Sequence, residues 1–154
     1  MAKLRKYQEQ FERLKRWYDR FEKIHQGRLH TLASDYYNDE IYAFFLNCYH
    51  LKDWIQNDDT VKLPKGKIEH FINQNECMRV CEDICNGIKH LKRKSHSGKA
   101  PEFGARKFSL NLGGSKPIIK IKYSIITKTG TIDAFELASE CVQKWKEFIK
   151  KNII

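Results

Sequence analysis

Four polar side chains have the types and spacing for acid–base chemistry: Asp83, Asn86 and His90 on one stretch, and His50 on an earlier one. Asp83, Asn86, Gly87 and His90 are separated so that a helix would line them up on one stripe. The earlier stretch carries a second polar row, Asn47, His50 and Asn57 with Asp53 beside it. If the two stretches pack side by side, His50 and His90 can face a common polar notch. Histidine exchanges protons near neutral pH, and a neighbouring carboxylate or amide fixes its tautomer. Such a set suits metal-independent cleavage of RNA, with histidine taking the 2′-hydroxyl proton and a cation steadying the phosphate. Lys89, Lys92 and Arg93 are at hand for that cation. The same spacing also describes a solvated helix face with one satisfied histidine, and residue types alone favour that plainer reading.

The charge distribution is less ambiguous. Residues 89–128 hold eleven Lys/Arg against a single acid, Glu102, which accounts for the whole net charge of +10. A one-sided field of this kind attracts polyanions and steers their approach. Lys92, Arg93 and Lys94 form one candidate patch for nucleic acid. Lys107, Lys120 and Lys122 form another, because they alternate with apolar residues and so share the solvent face of a hairpin. Such a face would bind phosphates in a salt-dependent, largely sequence-blind way. Lysines on exposed strands also guard against aggregation, which explains two or three of them but not eleven bases against one acid.

A length of 154 residues suits a single domain, and 41% hydrophobic content with 12% aromatics excludes a disordered tail. No apolar run approaches the roughly 20 residues that span a bilayer, and Met1–Lys6 lacks a signal-peptide core. A cytoplasmic protein with five reduced cysteines is expected. Cys77, Cys81 and Cys85 recur at helical spacing, yet zinc sites set cysteines closer together and add a second pair elsewhere. The row reads as small apolar side chains where helices approach, and no metal or cofactor is expected. Gly113-Gly114-Ser115-Lys116 lies between two strands, so it is not a phosphate loop leading into a helix.

The positioning elements follow from periodicity. Leu4, Tyr7, Phe11, Leu14, Tyr18, Phe21 and His25 define an amphipathic helix over 3–26, stopped by Gly27, whose apolar face would also suit a partner chain. A second helix over 35–57 is apolar almost all round and should be central. A third runs over 67–93, followed by a mobile basic loop to Gly104. Alternation around Phe108–Leu112 and Ile119–Ile125 predicts a hairpin, Thr129-Gly130 a turn into a short strand at 131–132. Asp133 caps a last helix over 134–151. The fold class is mainly α (α+β), a four-helix-type bundle with a small basic antiparallel sheet before the last helix.

Two segments, Phe44–Trp54 and Asp83–Leu91, resemble a group of small bacterial proteins, and the second resembles the core of the HEPN superfamily. Those helical domains are common in toxin–antitoxin, antiphage and CRISPR-associated ribonucleases. Their site is an arginine, often followed by asparagine, with a histidine four to six residues after the arginine. Asn86 and His90 match the asparagine and histidine, whereas Cys85 stands in the place of the arginine. The resemblance implies one HEPN-like domain over 1–154, with a basic loop and hairpin inserted at about 92–132. It implies an RNA-directed protein, a metal-independent ribonuclease if active, with His90 as acid/base and Asn86 or Asp83 positioning it. It also implies a dimer. The alternative is a non-catalytic nucleic-acid-binding or assembly module using residues 89–128, and a third class is a structural partner docking through helix 3–26.

Overall fold

The computed structural model describes residues 5–29, 34–89, 102–111 and 118–153. In chain order these form α1 (Lys6–Gln26), β1 (Arg28–Leu29), α2 (Ser34–Gln56), α3 (Lys67–Gln74), α4 (Glu76–Lys89), β2 (Glu102–Asn111), β3 (Ile118–Thr127), β4 (Gly130–Asp133) and α5 (Ala134–Asn152). The architecture is mainly helical, with a small antiparallel sheet before the last helix, as the alternation of periods predicts.

The α2 helix is the centre of the core. Tyr37, Ile41, Phe44, Phe45, Cys48, Leu51 and Ile55 are all buried along it. α1 covers one side, burying Tyr7, Leu14, Phe21 and Ile24 while its charged face stays in water. The stripe that would suit a partner helix is therefore covered by this chain's own side chains. At the α1–α2–α5 junction, Phe21 meets Phe44 and Phe135 edge-on or tilted, with ring centres 5.8 and 5.5 Å apart. His25 stacks on Phe135 at 4.4 Å. Gly27 ends α1, its N–H donating to the Lys23 carbonyl at 3.0 Å.

The helix expected over 67–93 is two helices. Asn75 takes an extended conformation and closes α3, donating its side-chain N–H to the Phe71 carbonyl at 2.7 Å. Its own carbonyl accepts from the N–H groups of Met78 and Arg79, which starts α4. Asparagine side chains compete with helical hydrogen bonds in this way. α5 begins as expected, with the Asp133 carboxylate accepting from the N–H groups of Phe135 and Glu136 at 3.0 Å each.

β3 is the spine of the sheet. β2 runs antiparallel along one edge, while β1 and β4 pair with opposite ends of the other. β2 begins at Glu102, so residues 102–104, expected in a loop, are strand; they pair with the end of β3 before an irregularity between Phe103 and Arg106. The rest of the expected loop, 92–101, lies outside the described residues. β3 packs on α1 and α5, burying Tyr123 and Ile125 and leaving Lys122 exposed. No helix among the described residues is long and apolar enough to cross a membrane.

Candidate functional site

Two regions hold the residues singled out from sequence: the α2–α4 face and the β2–β3 strand pair. α2 and α4 do pack side by side, but the packing sorts the polar rows differently from the sequence expectation. Asn47 faces α1, where its carbonyl and side-chain oxygens each accept from the buried Gln10 amide at 3.1 Å. Asn57 turns back on its own helix, donating to the Asp53 carbonyl at 2.8 Å. Of that row, His50 reaches α4, and its Nε2 lies 4.0 Å from the Cys85 sulfur.

The residue in the place of the family arginine thus faces a histidine. Cys85 is only 1% exposed, so its thiol is sealed from a substrate and offers no charge to a phosphate. His50 is exposed beside it. Next to His50 in sequence, the Tyr49 hydroxyl donates to Glu82 at 2.8 Å and accepts from the Lys52 ammonium at 2.7 Å. Burial, then the Glu82 hydrogen bond and the nearby carboxylates, push the Tyr49 hydroxyl well above its ordinary pKa. Lys52 is held by this bond and sits 4.3 Å from the Tyr49 ring centre. Among the described residues this face carries an ordered hydrogen-bond chain.

The other candidates separate around α4. Asp83 is buried, and two residues of α-helix place it about 200° around the axis from Cys85. Asn86 is half-buried between those directions. Asp83 and His50 therefore do not converge. His90, Lys92, Arg93 and Lys94 lie outside the described residues, as do the side chains of Lys89, Lys107 and Lys120.

The strand pair carries the clearer arrangement. Its register sets Phe108 opposite Ile121 and Leu110 opposite Ile119, and in the alternate set Lys107 opposite Lys122 and Ser109 opposite Lys120. One row is apolar and continues into buried Tyr123 and Ile125; the other is polar or basic and contains exposed Lys122. Like charges directly opposite one another destabilise a strand pair.

Sequence reasoning also missed a cluster of side chains. It grouped Cys81 with Cys77 and Cys85 by helical spacing, whereas Cys81 points to Cys48 of α2 and Cys141 of α5. Their apolar stripes signal that each is buried, but only tertiary packing brings them together. Comparison with protein-family models, curated proteins and solved structures gives no match to this chain.

Proposed function

We propose that this protein is an RNA-directed module of the HEPN type whose β2–β3 strand pair binds the phosphate backbone. The observation that carries the reading is the register, which sets Lys107 against Lys122 and keeps Lys120 in the same alternate row. Ionic contacts of that kind bind polyanions with little regard for sequence, and release counter-ions on binding. The concentration of net charge in residues 89–128 supports the same reading. The tests use a labelled single-stranded RNA titrated at several salt concentrations. Affinity should fall steeply with salt, and replacing Lys107, Lys120 and Lys122 by alanine should make the log–log slope shallower by about 2, at roughly 0.7 per lost phosphate contact. Binding indifferent to salt, or a triple variant with the wild-type slope, refutes the assignment.

Cleavage is a separable second reading, supported by the match of Asn86 and His90 to the family motif. In it His90 moves the proton, Asn86 positions it, and Lys89, Lys92 and Arg93 hold the phosphate. Buried Cys85 weighs against it, because a neutral thiol replaces the cation that stabilises developing phosphate charge. Wild type and His90→Ala are compared on labelled RNA with a chelator present. Equal cleavage by both, or none by either, refutes catalysis and leaves the binding reading standing.

A further inference from the structure

Three helices bring one cysteine each to a single point in the core. Cys48 of α2, Cys81 of α4 and Cys141 of α5 are fully buried, and their sulfurs all lie within 4.8 Å of one another. A metal bound to three coplanar sulfurs at about 2.3 Å needs them about 4.0 Å apart, inside that limit. The thiols are held in place by longer contacts: Cys81 donates to the Phe45 carbonyl at 3.6 Å and Cys141 to the Cys77 carbonyl at 3.4 Å. The Trp145 indole donates to the Cys48 carbonyl at 3.0 Å, fixing the α2–α5 approach from the other side. Plain packing would be served by alanine, which α5 already uses at Ala134 and Ala138.

We propose that Cys48, Cys81 and Cys141 form a three-sulfur site for a soft, thiophilic metal ion. Soft thiolates select monovalent copper and zinc over hard cations. Among the described residues no histidine, carboxylate or fourth cysteine joins the group. Three ligands suit monovalent copper, whereas zinc asks for a fourth. Zinc leaves less residual negative charge in the core, so both ions are tested. Binding forms three metal–sulfur bonds and releases the thiol protons to solvent.

The test titrates the reduced full-length chain, without oxygen, with monovalent copper and separately with zinc, against a competing chelator. One equivalent of one of these ions should bind, X-ray absorption should show three sulfurs at about 2.3 Å, and about a hundredfold excess over Kd should raise Tm by roughly 5–10 °C. Cys48→Ser and Cys141→Ser should abolish binding, while Cys77→Ser and Cys85→Ser keep it. No stoichiometric binding of either ion by the wild type, fewer than three sulfurs at the metal, or binding that survives Cys48→Ser overturns the proposal. The wild-type spectrum decides the matter even if the serine variants fail to fold.

Discussion

Replacing Asp58 by alanine should destabilise the protein by about 2 kcal/mol, although the residue lies in a loop among other polar side chains. The α1 helix starts after Arg5, and its early N–H groups need acceptors. Asp58, only 3% exposed, supplies one from the far end of α2: its Oδ2 accepts from the Tyr7 N–H at 3.1 Å. Its Oδ1 accepts from the Thr60 N–H at 3.0 Å and the Thr60 hydroxyl at 2.7 Å. Removing the acceptor strands the Tyr7 N–H inside the fold, which costs about 1–3 kcal/mol. Thr60 is exposed, so water can replace its partner. For a chain of this size that amounts to a fall in Tm of roughly 4–8 °C. The neighbouring Asp59→Ala is the control: its carboxylate is 94% exposed and meets Lys6 at 3.7 Å, so little change is expected. The pH dependence gives a second readout. Burial raises the Asp58 pKa, but the hydrogen bonds from Thr60 and Tyr7 and the Lys6 charge outweigh it and hold the carboxyl below its usual range. Its stabilisation is therefore complete above the unfolded value of about 3.9 and lost as pH falls through the lower folded value. Chemical denaturation of both variants at pH 7 and again near pH 3 measures this. Equal effects of the two substitutions, or an Asp58→Ala deficit unchanged in acid, would refute the reasoning.

Trp145 is fully buried and its indole N–H bonds the Cys48 carbonyl. Trp145→Phe should cost about 0.5–1.5 kcal/mol for the lost hydrogen bond, and Trp145→Ala about 3–5 kcal/mol, both read by denaturant midpoint. Two glycines should respond with opposite signs to alanine, since an added Cβ meets nothing within 4 Å at either. Gly130 has φ +146° in the turn before β4, so Gly130→Ala should destabilise by about 1 kcal/mol. Gly87 is an exposed helical position, so Gly87→Ala should stabilise by about 0.5–1 kcal/mol, provided the surface carries no bound partner.

The amphipathic helices were legible because each buries one stripe: Leu14 and Phe21 on α1, or Ala138, Cys141 and Trp145 on α5, follow from spacing alone. The break at Asn75 was not, because Phe71, Met78 and Cys81 keep helical spacing across it and the decision rests on one side-chain hydrogen bond. β2 begins before its alternation does, since Glu102 and Phe103 are fixed by pairing with Ile126 and Ile125. The polar row of α2 shows the deeper limit. Asn47 and His50 share a side of the helix in projection, yet packing sends one to Gln10 of α1 and the other to Cys85 of α4. Which neighbour a side chain meets depends on helix rotation and crossing, and neither is written in the spacing.

Two placements of the basic residues can be weighed on electrostatics. Lys89 lies in the last described turn of α4, and Lys92, Arg93 and Lys94 follow it in sequence. A helix C-terminus carries partial negative charge, which cations there offset. Lys89 is thus explained by the helix itself. The strand row has no such internal partner in the backbone, because sheets carry only small net dipoles. Lys107 and Lys122 instead oppose each other in register, so their charge is a cost to the folded protein until an anion neutralises it. On the phosphate-binding proposal, a bound polyanion should therefore stabilise the strand pair by offsetting that repulsion.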